Sequence, residues 1–266
     1  MNVRPIGIFD SGLGGLTVAQ AIRRSLPREK IVYFGDTARI PYGTKSPATV
    51  IQFSRQIARF LRKRKVKFLV VACNTASAWA LDTLRRESGV PVLGVIEPGA
   101  HAAVEVTRNG NIGVIGTEGT VASGAYTRAI RALRPGTRVS VKACPLFVPL
   151  VEEGKLVGPV TRLIAAEYLA PLLKNRIDTL VLGCTHYPLL KKTLQRQAGK
   201  KVRIIDSAEE TARVLKWSLE QMHLLSGGKG GERFFVSDLS RKFKEHAQRF
   251  LGRPIRKVTR VAIEQY

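Results

Sequence analysis

Cysteine, acidic residues and aromatics are all scarce in this chain of 266 residues, and no long apolar run occurs. The three cysteines, Cys73, Cys144 and Cys184, lie far apart. Without a Cys-x-x-Cys pair, neither a zinc ribbon nor a thioredoxin-type redox motif is expected. An odd and small number of cysteines in a chain of this length does not read as a disulfide framework. No window approaches the roughly 20 apolar residues of a membrane helix. The start of the chain enters a strand-like run at once and lacks the apolar stretch of a signal peptide. A reducing cytoplasm is therefore the expected setting. Acidic residues number 20 against 44 Lys+Arg, a formal charge of +24. Such an excess raises nucleic-acid binding as a first hypothesis. Against it, aromatics make up 7% of the chain, and no helix-turn-helix, zinc-finger or aromatic RNA-binding motif is present. Weak, non-specific binding that weakens with salt remains compatible with the charge.

What the chain does have is a globular balance, 44% hydrophobic and 24% charged, and a length that suggests two domains of about 150 residues each. Short Val/Ile/Leu runs alternate with amphipathic segments. The predicted strands are 6–9, 31–34, 68–72, 92–96, 112–115, 139–143, 179–182, 202–205 and 234–236. Near-continuous apolar runs are the pattern of parallel strands covered on both faces. One helix opens at Ser46-Pro47, an N-cap followed by proline at the first helical position. It ends in Arg62-Lys63-Arg64-Lys65, read as a solvated helix terminus. Basic residues in general, such as those of 62–67 and 241–244, fall on predicted helix faces and ends. The fold class expected is α/β with mainly parallel sheets.

The chain also repeats itself. Residues 6–12 resemble 112–118, residues 68–75 resemble 179–186, and residues 92–97 resemble 202–206. Three matches in one order at nearly one spacing suggest two related α/β halves facing a shared cleft about a pseudo-two-fold. The first domain is expected to comprise 1–97 plus 208–266, and the second 98–207. The C-terminal stretch, with a loop at Gly227–Gly231, has no counterpart and must pack back on one half.

Each half delivers a cysteine to the end of an apolar strand and ahead of a helix. Ligands of open α/β sheets bind there, and a helix N-terminus favours a thiolate. Cys73 and Cys184 are thus candidate reactive thiols, whereas Cys144 reads as a buried small hydrophobe. Two opposed thiols suit inversion at a carbon, one taking a proton from one face while the other delivers a proton to the opposite face. His186 beside Cys184 keeps a Cys-His hydrolase open, though that leaves Cys73 unexplained. Asp10 is either a base that tunes a thiol or a turn residue before the bend Ser11-Gly12-Leu13-Gly14-Gly15. That bend fits neither a dinucleotide fingerprint nor a P-loop, but its N–H groups could hold an anion. Ser11, Asn74, Thr75, Thr117, Thr120 and Thr185 recur at strand ends as neutral donors, individually helix caps, together a ring suited to carboxylates.

These residues, with Gly35-Asp36-Thr37-Ala38-Arg39-Ile40-Pro41-Tyr42-Gly43, Cys73-Asn74-Thr75-Ala76-Ser77, the run Pro145 to Gly154 and Gly183-Cys184-Thr185-His186-Tyr187-Pro188-Leu189, resemble the glutamate racemase family over residues 6 to 209. The resemblance implies interconversion of L- and D-glutamate without pyridoxal phosphate or metal, D-glutamate then entering peptidoglycan. It implies that Cys73 and Cys184 are the two acid/base residues, Cys73 serving the D-face and Cys184 the L-face. It assigns Asp10 to assist Cys73, and Glu152 with His186 to assist Cys184. Substrate contacts are implied for Asp10, Ser11, Tyr42, Gly43, Asn74, Thr75, Thr117, Thr120, Thr185 and His186. By themselves, Tyr42-Gly43 read as a turn after Pro41, and Glu152 as a surface carboxylate. A homodimer is also implied. The chain starts too close to its first strand to be expected to carry the N-terminal extension of members activated by a cell-wall precursor. An aspartate racemase, or another two-cysteine racemase, is the near alternative.

Overall fold

The computed structural model describes residues 2–241 and 243–266. Ten strands are present among the described residues: β1 (Ile6–Asp10), β2 (Lys30–Gly35), β3 (Phe68–Val71), β4 (Val92–Gly94), β5 (Asn111–Gly116), β6 (Arg138–Ala143), β7 (Thr179–Gly183), β8 (Arg203–Asp206), β9 (Gly231–Val236) and β10 (Val258–Arg260). They form a six-stranded sheet in the order β10-β9-β2-β1-β3-β4 and a four-stranded sheet in the order β6-β5-β7-β8. The pairings are parallel in both sheets. The α/β class with mainly parallel sheets is therefore observed.

The repeat has a topological meaning. The order β2-β1-β3-β4 of the first sheet is reproduced by β6-β5-β7-β8 of the second. In each, the chain leaves the first strand toward one edge and returns on the other side, so a switch point lies between β1 and β3, and again between β5 and β7. A crevice opens at the carboxyl ends of the strands at such a point. The C-terminal stretch adds β9 beside β2, pairing Tyr33 with Phe234 and Phe34 with Phe235.

Burial follows the pleat. In β3 and the two residues after it, Phe68, Val70 and Ala72 face one hydrophobic cluster, while Leu69, Val71 and Cys73 face another. The first of these clusters runs on into the second sheet through Ile115, Leu180 and Leu182. A third, with Val114 and Val181, lies under the helix Ile96–Val106. The expected double coverage fails at β6 and β8, whose residues are largely half-buried or exposed. Both are edges of the four-stranded sheet, so one side of each has no neighbouring strand. The segment expected as a strand over 92–96 stops at Gly94, because Ile96 already opens the next helix. The glycine loop is shorter than expected, since Gly231 begins β9.

The helix Pro47–Lys63 starts as its sequence requires, with the Ser46 hydroxyl accepting from Thr49 N–H and proline in the first turn. Arg62, Lys63, Arg64 and Lys65, which end the helix and follow it, are exposed as expected, but the basic character does not stay in solvent beyond them. Lys67 is buried, with Nζ 2.7 Å from a carboxylate oxygen of buried Glu29. The same ammonium donates to the carbonyls of Asn2 and Leu224 at 3.1 and 2.6 Å. Lys67 thus ties the chain start and the 224–226 turn to the sheet. Removing one partner of such a pair leaves an uncompensated buried charge. Lys67→Ala is expected to lose about 3–5 kcal/mol of stability, read from urea unfolding midpoints against the parent. In the second basic run, Arg241 is exposed, and Lys242 lies outside the described residues.

Candidate active site

Asp10 ends β1, and Cys73 follows β3 after Ala72. Cys73 is the N-cap of the helix Asn74–Glu87, its sulfur accepting from Ala76 N–H at 3.5 Å. In the second half Thr117 follows β5 and caps the short helix Glu118–Ala122, while Cys184 follows β7. Cys184 precedes a 3₁₀ turn, Tyr187–Leu190, rather than an α-helix. Both thiols line one cavity, with Ser11, Ile40, Pro41, Tyr42, Gly43, Asn74, Thr75, Thr117, Val148, Glu152, Gly183, Thr185 and His186. Its volume is about 50 Å³. An apolar hollow of about 210 Å³ shares the walls Ile40, Pro41, Gly43, Thr117, Val148 and Glu152 and leads outward. No arginine or lysine lines the cavity among the described residues.

Two expected contact residues stand behind the lining. Asp10 is fully buried, accepting from Gly12 N–H at 3.0 Å and from the Thr185 hydroxyl at 3.5 Å. Asp10 closes the turn before the bend, and its charge acts on Cys73. Thr120 is buried in a triangle of hydroxyls, 3.2 Å from Thr75 and 3.0 Å from Thr117; Thr75 and Thr117 are 2.9 Å apart. Within the bend, the Gly12 N–H is spent on Asp10.

Electrostatics set the two thiols apart. Burial, reinforced by the charge of Asp10, pushes the Cys73 thiol up to about 12. This reverses the expectation from its helix N-terminus: desolvation outweighs the amide donor and the Ser11 hydroxyl, 3.5 Å from sulfur. On the other side, the His186 ring lies between the Cys184 sulfur, 3.9 Å from Nδ1, and Glu152, 3.2 Å from Nε2. Burial alone would lower His186, but hydrogen bonds to Cys184 and Glu152 win and hold it at about 10. Glu152 is lowered in turn, first by its bond to His186. Burial raises the Asp10 carboxyl despite the nearby charge of His186. Cys144 is fully buried and its thiol is raised to about 12 by burial.

His186 thus carries its proton across neutral pH, which has a consequence for stability. Because its folded pKa is raised, its contribution is complete below the ordinary value of 6.5 and is lost as pH rises through about 10. Urea midpoints taken between pH 7 and 10.5 are expected to fall more steeply for the parent than for Glu152→Gln.

Contacts between the halves bring residues outside the motifs to the site. Asn74 accepts from the Tyr126 hydroxyl at 2.8 Å, so the second half fixes a side chain of the first. Its Nδ2 is buried with no partner among the described residues. Tyr42 donates to buried Asp36 at 2.5 Å, and Asp36 also accepts from Arg39 and Ser237. The two halves meet without side chains at Gly14, Gly43 and Gly119. A Cβ on Gly43 would lie 2.7 Å from that of Thr117, and one on Gly119 would lie 2.9 Å from the Gly43 carbonyl. Nothing in local periodicity marks Tyr126 or Gly119, which matter only once the halves are docked.

Two related parallel sheets, each presenting a thiol at its switch point to one small cavity, define a class: α/β proteins built for chemistry on two faces of one small substrate. The chain belongs to the Asp/Glu/hydantoin racemase family, whose sequence model matches residues 14–215. It is similar to the glutamate racemase of Geobacter metallireducens, 52% identical over 99% of this chain and 98% of that protein. Its fold is similar to the Francisella tularensis glutamate racemase in complex with D-glutamate, with a TM-score of 0.95, 38% identity and full coverage of both chains. The Thermus thermophilus glutamate racemase in complex with β-chloro-D-alanine matches at a TM-score of 0.91 and 46% identity, again over both full chains.

Proposed function

We propose that the protein is an amino-acid racemase that interconverts L- and D-glutamate and supplies D-glutamate for peptidoglycan, by proton transfer between two cysteines. The observation that carries this is the pair of thiols lining one cavity from equivalent strand ends. For L-glutamate, the Cys184 thiolate takes the α-proton and Cys73 delivers its own to the opposite face; D-glutamate reverses the roles. The raised Cys73 thiol makes it the proton holder at neutral pH, while His186 offers a cation to a thiolate at Cys184. Asp10 assists Cys73, and Glu152 with His186 assists Cys184. The carbanion-like transition state needs donors aimed at the substrate carboxylate with water excluded. Ser11, Thr75, Thr117, Thr185 and the unpartnered amide of Asn74 are suited to that. Asp10 and Thr120 act from behind the lining, and Tyr42 with Gly43 forms a wall.

A cavity of about 50 Å³ is well below the roughly 300–1,000 Å³ usual for a ligand pocket. Glutamate therefore enters by parting of the walls at Ile40, Pro41 and Val148. Circular dichroism of L-glutamate and L-aspartate solutions tests the reading. The ellipticity of glutamate is expected to decay to zero, with aspartate at least about 100-fold slower, as for a site built around a matching polar group. Equal or preferred turnover of aspartate would assign the chain to the near alternative.

The division into 1–97 plus 208–266 and 98–207 is proposed with this function. The membership of β1–β4, β9 and β10 in one sheet and β5–β8 in the other supports it. A homodimer is proposed as well. Val157, Val160 and Leu163, 68%, 63% and 71% exposed, offer apolar surface for it, and sedimentation velocity reads the mass. No helix among the described residues is long and apolar enough to cross a membrane, in keeping with a proposed cytoplasmic site of action. Among the described residues the arginines and lysines do not line the cavity. Arg108, Arg138, Arg176 and Arg203, for example, are exposed at the amino end of the second sheet, opposite the thiols. Weak nucleic-acid binding through such surfaces is expected to fall steeply with salt in a duplex-DNA anisotropy titration; a flat salt response rejects it.

A further inference from the structure

The helix Phe243–Leu251 belongs to the C-terminal stretch that the repeat does not explain. Its anchor is on the first half: Gln20 Nε2 donates to the Leu251 carbonyl at 2.9 Å, and Ala247, Phe250 and Leu251 join the cluster around Leu16 and Ile22. Its other contacts reach the second half. The Arg249 guanidinium donates to the carbonyl of Val151 at 3.0 Å and to that of Glu152. These are the last two residues of the short helix Phe147–Glu152. Carbonyls at a helix end have no partner within the helix and carry its negative pole, so a guanidinium there both caps and holds the terminus. The turn beyond is shaped to receive it. Gly154 has φ +70°, and a Cβ on it would lie 3.0 Å from Arg249 Nη2. Glu245 holds the other side of the guanidinium at 3.0 Å. The next residue, Phe250, sets its ring edge against His186, 4.9 Å between centroids.

We propose that Arg249 is a positioning residue for the Glu152–His186 pair, so that the C-terminal helix fixes the charge beside Cys184. The inference rests on the racemase reading only for its kinetic consequence. Glu152 is half-buried, and its carboxylate meets His186 across 3.2 Å. A small drift of the helix end is enough to part them. His186 would then lose one of the two acceptors that hold its proton. The charged groups around the pair are Cys184, Asp10 and Glu152 facing His186, and His186 and His246 facing Glu152. Arg249 touches neither thiol nor cavity, so its effect runs through the carboxylate.

The test uses the full chain with ¹⁵N-labelled histidine, in the parent, Arg249→Gln and Arg249→Lys. Glutamine keeps much of the packing volume, and lysine restores one charged donor to the helix end. In Arg249→Gln, the His186 titration midpoint is expected to fall by about one pH unit or more, the scale set by a nearby opposite charge. Its kcat for glutamate is expected to drop at least about tenfold with KM changed less than twofold, since the pair is displaced while the groups that bind substrate stay in place. Arg249→Lys recovers most of both. An unchanged His186 midpoint in a folded Arg249→Gln protein overturns the proposal, whatever the melting temperature does. So does a lysine variant no better than glutamine. If the parent turns over no glutamate while the midpoint still shifts, the positioning role stands and the racemase reading fails. Should Arg249→Gln not fold, Phe147–Glu152 can be loosened with Gly154→Ala, where the added Cβ presses on the guanidinium; it must lower the same midpoint.

Discussion

Cys73→Ala and Cys184→Ala each lower racemisation in both directions by about 10⁴-fold, the upper end of what one positioned acid or base contributes. Both directions fall together because every turnover uses both sulfurs, one to accept and one to donate. The structure makes this sharper than a generic active-site loss. Cys73 is buried and held protonated up to about 12, and its place is not taken by another side chain. Asp10 is behind it, engaged with Gly12 N–H. Ser11, the nearest hydroxyl, is no acid at neutral pH. Stability should change little by comparison, since each thiol contributes few packed atoms. Urea midpoints near that of the parent alongside lost activity are therefore the expected combination. A Cys73→Ala protein that retains a tenth of the parent rate would remove Cys73 from the chemistry.

The second large effect comes from a residue with no functional group. A Cβ on Gly14 would sit 2.3 Å from the Thr185 hydroxyl oxygen and 2.6 Å from His186 Nδ1. Real side chains do not approach so closely, so Thr185 and His186 must move. Those two atoms are the ones that bond Asp10 and face the Cys184 sulfur. Misplacement by about 1 Å in such a site costs about 100-fold in rate, and that is the loss expected for Gly14→Ala. Gly231→Ala is the matched control: nothing lies within 4 Å of the added carbon. Its rate should equal that of the parent in the same circular dichroism assay.

Nine of the strands are legible in the amino-acid sequence because each carries a short apolar run, including β6 and β8, which are not buried on both faces. The strand β10 is not, since Val258-Thr259-Arg260 is short and half polar. The internal repeat carries the topology, because equivalent strands occupy equivalent places in the two sheets. It also carries the two thiols. What it cannot carry is burial. A helix N-terminus argues for a lowered thiol at Cys73, and desolvation reverses the sign. Lys67 looks like part of a wet basic run, and its partner, Glu29, lies far away in sequence. Glu152 reads alone as a surface carboxylate, and only the folded chain brings it to His186. Tyr126 on Asn74 and Arg249 on Glu152 are contacts between segments with no shared motif, so no spacing rule could reveal them. The charge of +24 invites a function, but the cavity is lined by neutral groups, one carboxylate and one histidine.

The central claim is that two different groups handle the leaving and the arriving proton. Its most direct test is conversion of L-glutamate in D₂O, stopped at a few per cent turnover, with deuterium at the α-carbon of each enantiomer read by mass spectrometry after chiral separation. The proton taken by Cys184 stays on a shielded sulfur, while Cys73 delivers a solvent-derived deuteron from the other face. The expected result is D-glutamate carrying one deuterium beside recovered L-glutamate that carries none. D-Glutamate that keeps the substrate's own proton, or deuterium appearing equally in both enantiomers from the start, would mean that a single base serves both faces and would contradict the two-cysteine mechanism.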